Sequence, residues 1–169
     1  MERNLKNNIR LLVILLFLIA GMSCQGKREI QGLRAIPGEK INFTLQDLNG
    51  RVFTLDEQKG KPILLIFSTT WCPACRSEIP HFKNIYSVYS PMGLVIINID
   101  IQESQDKVSH FASNNLLPYR ITLDKDALVA NAYEIRGVPS MILLGKDGRI
   151  ISREYEQIDG MLAQLFSTN

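Results

Sequence analysis

The chain has 169 residues, 46% hydrophobic and 21% charged, which suits one globular domain with a substantial core plus an address segment. Of its 19 basic and 17 acidic residues, Arg3, Lys6, Arg10 and Glu2 fall in the first 23 positions. The rest of the chain is neutral, which excludes the basic surface that a nucleic-acid partner requires.

Residues 1–10 are polar and basic, residues 11–20 are wholly apolar, and Gly21, Met22 and Ser23 precede Cys24. That three-part layout predicts an export signal over residues 1–23. The apolar run is shorter than the about 20 residues a membrane-spanning helix needs. Residues 20–24, Ala-Gly-Met-Ser-Cys, resemble a bacterial lipoprotein box. There the cysteine becomes the lipidated first residue of the mature protein. The family prefers Leu three positions before the cysteine, where this chain has Gly21. The other readings are ordinary cleavage, an uncleaved anchor, and Cys24 as a spare thiol.

Residues 24–40 mix charge with Gly26, Gly32, Pro37 and Gly38 and show no sustained periodicity, so they read as a tether to a domain over residues 41–169. Ile41, Phe43 and Leu45 alternate with polar residues as in a half-buried strand. Asn49-Gly50 supplies a hairpin turn, residues 52–55 the returning strand, and residues 56–58 a short helical turn. The apolar run at residues 63–67 predicts a further strand.

It leads into Trp71-Cys72-Pro73-Ala74-Cys75, which opens a predicted helix. Two cysteines three residues apart at a helix start can close a small disulfide ring, and the first would sit where unpaired N–H groups stabilise a thiolate. Pro73 suits the first helical position, where its missing N–H costs nothing. Two other readings are a permanent disulfide, whose loop is too short to add much chain-entropy stability, and a zinc site, which lacks a second pair of ligands. Ile79, Phe82, Ile85, Val88 and Tyr89 define one face of the helix continuing to residue 89, with a kink expected at Pro80.

Residues 94–99 predict a strand covered on both faces, and residues 104–114 a helix with Val108, Phe111 and Ala112 inward. A strand at 119–123, a helix at 126–133, Gly137-Val138-Pro139, strands at 140–144 and 149–153 about a Lys146-Asp147-Gly148 turn, and a helix at 157–166 complete the chain. Strands alternating with helices imply an α/β fold, a mixed sheet with helices on both faces.

From about residue 41 onward the order resembles the thioredoxin fold, in the form of exported thiol–disulfide oxidoreductases of the TlpA/ResA type. The resemblance rests on residues 71–75 after a buried strand, Glu78 and Pro80 in the following helix, Gly137-Val138-Pro139 before a strand, and the residue 146–148 turn. It implies an N-terminal β-hairpin and an inserted helix and strand, which residues 104–125 would supply. It also implies that Cys72 attacks, that Cys75 resolves the mixed disulfide, and that Pro73 and Ala74 tune the potential. Trp71 offers substrate a surface, Pro139 is cis, and Val138 helps select substrate. Thioredoxin keeps a buried Asp in the strand before its motif, where this chain has Ile66. The proton acceptor for Cys75 is therefore expected to be Glu78 or water. The bland readings of Glu78, Trp71 and Pro139 are a solvated carboxylate, a packed aromatic and an ordinary trans proline. His81 and His110 are expected to be solvated surface residues.

The resemblance implies no cofactor beyond the Cys72–Cys75 disulfide and no metal. Its implied partners are client proteins with cysteines, a membrane-embedded thiol electron donor, and the membrane itself through lipid on Cys24. The expected function is an extracytoplasmic thiol–disulfide oxidoreductase working as a reductase, for instance on apocytochrome c. A peroxiredoxin-like peroxidase would need Pro-x-x-x-Thr-x-x-Cys; Thr69 stands at the threonine position, but Leu65 at the proline position. A lipoprotein binding metal or a partner through the same thiols is the non-enzymatic alternative.

Overall fold

A computed structural model describes residues 38–167. The signal, the lipoprotein box and Cys24 lie outside the described residues. One seven-stranded sheet runs β2-β1-β5-β4-β3-β6-β7. Its strands are β1 (Thr44–Asp47), β2 (Val52–Thr54), β3 (Ile63–Ser68), β4 (Val95–Ile101), β5 (Arg120–Asp124), β6 (Ser140–Leu144) and β7 (Ile150–Ser152). The helices are α1 (Pro73–Ser77), α2 (Ile79–Tyr89), α3 (Gln105–Asn114), α4 (Leu128–Ala132) and α5 (Ile158–Ser167). The expected mixed α/β sheet is therefore observed, with the inserted α3 and β5 in the middle of the chain. No helix among the described residues is long and apolar enough to cross a membrane.

β3 and β4 read as unbroken apolar runs because both of their faces are covered. Leu65 and Phe67 pack on one face with Phe43, Phe53, Ile97, Ile99 and Tyr133. Leu64 and Ile66 pack on the other with Phe82, Ile85, Ile96, Leu162 and Phe166. The hairpin turns at Gly50, whose φ of 75° is left-handed backbone that glycine adopts without steric cost. The Asp47 carboxylate accepts the N–H groups of Asn49 and Arg51 and pairs with the Arg120 guanidinium at 3.0 Å, fastening the hairpin to β5.

Three expectations need correction. Residues 38–40 belong to the folded domain and not to a tether: Gly38 N–H donates to Ile150, Ile150 N–H donates to Glu39, and Lys40 pairs with Asp56 at 2.6 Å. Pro80 does not kink one long helix; the chain ends α1 at Ser77, passes through Glu78 and begins α2 at Ile79. The physical reason is the one that predicted a kink, since a proline has no N–H for the carbonyl four residues back, but it is well placed in a helix's first turn. Val88 is 45% exposed and not part of the inward face; at that end of α2 Tyr89, against Phe166, makes the contact.

Candidate active site

Sheet register brings the site together. β3 runs antiparallel to β6 with Phe67 opposite Ser140, and parallel to β4 with Ser68 opposite Asp100. The residues that follow β3, those that precede β6 and the C-terminal end of β4 therefore share one edge of the sheet. The first group carries Trp71, Cys72, Pro73, Ala74 and Cys75; the second carries Gly137, Val138 and Pro139.

Cys72 caps α1, with Pro73 in its first turn. Its Sγ accepts the Cys75 N–H at 3.2 Å, a hydrogen bond that any negative charge on that sulfur would strengthen. The thiol donates to the Val138 carbonyl at 3.5 Å, and the Val138–Pro139 bond is cis as expected. Both cysteines are buried and free, so the structure holds the dithiol form. Burial pushes the Cys75 thiol up to about 12, helped by its hydrogen bond with Cys72 and opposed by a backbone hydrogen bond from Thr69. The two sulfurs are thus unequal, one between a backbone donor and the Val138 carbonyl, the other held protonated by burial. Trp71, 62% exposed, stands beside them, while Val138 and Pro139 are half-buried. Pro73 and Ala74 are exposed between the thiols. Among the described residues no group of three or more His, Cys, Asp or Glu is placed to hold a metal ion.

A model of the AhpC/TSA family matches residues 37–153. The thiol–disulfide oxidoreductase ResA of Bacillus cereus is 30% identical over 171 residues, covering 95% of this chain and 98% of the relative. ResA of Halalkalibacterium halodurans is 36% identical over 113 residues, 67% of this chain and 64% of that protein. The chain belongs to the AhpC/TSA family, among its ResA-type thiol–disulfide oxidoreductases. StoA of Bacillus subtilis shares the fold at a TM-score of 0.60 and 26% identity, over 70% of this chain and 90% of StoA. The thioredoxin domain of a thiol–disulfide oxidoreductase from Bacteroides vulgatus gives a TM-score of 0.67 at 23% identity, over 75% and 98% of the two chains. The Cys72–Cys75 pair carries the thiol–disulfide oxidoreductase activity of this enzyme.

The peroxidase pattern fails in space as it does in sequence. Leu65 pairs with Ile97 on one side and Ile142 on the other, an interior strand position that excludes proline.

Around this ResA-type pair the structure gives Glu78 and His81 partners, Tyr155 and Asp159, that the sequence does not point to. Glu78 accepts the Tyr155 hydroxyl at 2.7 Å and meets His81 Nδ1 at 3.0 Å; its hydrogen bonds do not go to Cys75. His81 Nε2 reaches Asp159 at 3.0 Å, and its ring stacks on Phe82. His81 is therefore not the solvated histidine expected from sequence, but a link between α2 and α5. The hydrogen bond from Tyr155 holds Glu78 below the usual carboxylate range, against burial and with help from His81. Burial opposes charge on His81, but Asp159 and Glu78 outweigh it and raise its pKa. Burial, and then Glu78, push Tyr155 upward, with Cys75 among the nearby charges it responds to.

The signs of these shifts fix a pH window. The raised histidine contributes stability that is full below its ordinary 6.5 and lost as pH rises through the folded value. The lowered carboxylate contributes stability that is full above its ordinary 4.5 and lost as pH falls through its folded value. The network is strongest between those two pH values. His81→Asn is expected to flatten the fall in urea midpoint on going from pH 6 to roughly pH 8, a range bracketing the histidine titration. An unchanged slope would mean that solvent screens the pairs completely.

Glu103 and Asp100 are also residues to which the sequence does not point. Glu103 accepts both the N–H and the hydroxyl of Thr70, two residues before Cys72, and pairs with Lys107. Asp100, 3% exposed, lies on the β4 face that looks toward α2.

Proposed function

We propose that this enzyme works outside the cytoplasm, tethered through lipid on Cys24, as a reductase of client-protein cysteines such as those of an apocytochrome c. A membrane-embedded thiol carrier supplies its electrons. The observation that carries the reading is the meeting of Cys72 with Val138 and the cis Pro139 beside an exposed Trp71. An extended client can lie along that loop edge, with its disulfide at the Cys72 sulfur and an apolar side chain on Trp71.

Cys72 attacks the client disulfide and forms the mixed disulfide. Cys75 then attacks the Cys72 sulfur, and the client leaves reduced. Val138 contributes to the choice of client through its position against Cys72. Pro73 and Ala74, uncharged and exposed, set the chain path between the sulfurs. Glu78 acts on the thiols through Tyr155 and not by direct hydrogen bonding.

The measurement that tests the direction is the midpoint potential of the Cys72–Cys75 couple in glutathione buffers. A value near or below about −250 mV supports a reductase, and one near about −120 mV identifies an oxidant. Mass spectrometry of the mature N-terminus tests the tether, which an unmodified Cys24 would remove.

A further inference from the structure

Beside Cys75 lies a small cavity lined by Ser68, Thr69, Cys75, Asn98 and Asp100 together with largely apolar side chains of α2, α3, β5 and the segment before it. Its volume is about 20 Å³ by the measure in which one water needs roughly 10–15 Å³, so it has room for one water. Two polar atoms on this lining are unsatisfied. Asp100 Oδ1 and Thr69 Oγ1 are buried and have no hydrogen-bond partner among the described residues. Orphaned buried oxygens are costly, and a polar site of this size is where an internal water is retained. Ser68 does not compete for it, since its hydroxyl donates to Asn98 at 2.9 Å.

We propose that Asp100 takes the proton from Cys75 as that thiol resolves the mixed disulfide, and returns it when the internal disulfide is opened, through one water held between Asp100 and Thr69. The inference rests on the exchange activity of Cys72 and Cys75 and is independent of its net direction. In resolution, the Cys75 S–H gives its proton to the water, which passes one to the Asp100 carboxylate. The Cys75 sulfur forms the bond to Cys72, the bond from Cys72 to the client sulfur breaks, and the client leaves as a thiolate. Two electrons have then passed from the cysteine pair to the client. In the opening step a donor thiolate attacks Cys72, Cys75 is expelled as a buried thiolate, and the Asp100 acid protonates it through the same water.

The surroundings suit both directions. Burial first, and then the neighbouring Glu103 through its charge and a hydrogen bond with Asp100, push the Asp100 carboxyl up to about 8, with Lys107 opposing, which leaves one carboxyl oxygen unpartnered at the cavity. An acid balanced near neutrality both accepts and donates. The other charged or titratable groups facing it are few. α1 presents Cys75, while the Nε of Arg76 on the same helix donates to the Thr70 carbonyl at 2.7 Å. The turn after β4 presents Glu103, α3 presents Lys107, and the segment before β5 presents Tyr119, whose hydroxyl burial keeps protonated. α2 contributes only Ile79 and Phe82 to the cavity wall, and the hydrogen bonds of Glu78 go to Tyr155 and His81.

The test is Asp100→Asn, which keeps the shape and removes the acid, in a quenched single-turnover reaction of the reduced protein with oxidised glutathione. The mixed disulfide at Cys72 is expected to decay about 10- to 100-fold more slowly, toward the lower end of general acid–base effects because a water intervenes. The pH inflection in that decay should disappear, while alkylation of Cys72 by iodoacetamide stays within about twofold, since that step does not involve Asp100. Decay at the native rate with the native pH profile would overturn the proposal. So would equal slowing of decay and alkylation, the mark of a merely structural role. Should the variant fail to fold, the carboxyl carbon of Asp100 in the unsubstituted protein, labelled with 13C-aspartate, gives the same answer by NMR. Its titration should differ between the dithiol and disulfide forms, and identical titration in both would equally overturn the proposal.

Discussion

Cys72→Ser is expected to lower disulfide exchange by more than about 10³-fold, down to the background of uncatalysed thiol exchange. The two sulfurs are inequivalent. Cys72 has a backbone donor on its sulfur and lies against the Val138 carbonyl, at the loop proposed to receive the client. Cys75 cannot take over. It is 4% exposed, and burial pushes its thiol up to about 12, so it stays protonated at neutral pH. A serine hydroxyl fills the same space and is far less acidic than a thiol. The cost in stability should stay within about 1 kcal/mol, since a serine hydroxyl can still donate to the Val138 carbonyl and accept the residue 75 N–H. Insulin-reduction assays and a thermal melt of the same sample measure the two effects together. Retention of more than a tenth of the activity would show that the nucleophile is misassigned.

Cys75→Ala is expected to do something different. It should leave the first half-reaction intact and stop the second. The hydrogen bond on Cys72 comes from the backbone N–H of residue 75, which alanine retains, so Cys72 should alkylate at close to its native rate. Without a resolving thiol the mixed disulfide can be cleared only by thiols from solution. Intramolecular attack has effective concentrations that reach about 10⁵ M or more in well-oriented systems, so millimolar external thiol leaves turnover at least about 10³-fold slower. Native clients should therefore appear as covalent adducts on non-reducing gels and dissolve with dithiothreitol. An empty trap, with Cys72 still reacting with iodoacetamide, would contradict the exchange mechanism.

The parts of this enzyme that sequence reveals are those governed by short-range rules. The runs at residues 63–67 and 94–99 mark β3 and β4 because strands buried on both faces have no polar face to interrupt them. Asn49-Gly50 marks its hairpin because few residue pairs accept left-handed backbone there. The cysteine pair marks the chemistry because its spacing is itself the ring. What stays hidden depends on register and on distant partners. Asp100 looks like the polar end of a buried strand, and only its pairing opposite Ser68 puts it under the cysteines. Closeness in sequence points to Glu78 as the carboxyl that serves Cys75. Its hydrogen-bond partner Tyr155 is 77 residues away, and the Asp159 that holds His81 is 78 residues from the histidine. Residues 38–40 look like tether because backbone pairing to Ile150 leaves no mark on side-chain pattern. A regular signal was available in one case only: Pro80 named the break in the helix, though not whether the chain would bend or restart there.

The central claim is that Cys72 and Cys75 exchange electrons with protein disulfides as one pair. The direct measurement mixes the reduced protein with a disulfide-linked peptide and counts free thiols on both partners by alkylation and mass. The account predicts that the protein loses two thiols, at Cys72 and Cys75, as the peptide gains two, with the Cys72 adduct formed on the way. A protein that keeps both thiols while the peptide stays oxidised, even when the peptide is made the stronger oxidant, would contradict it.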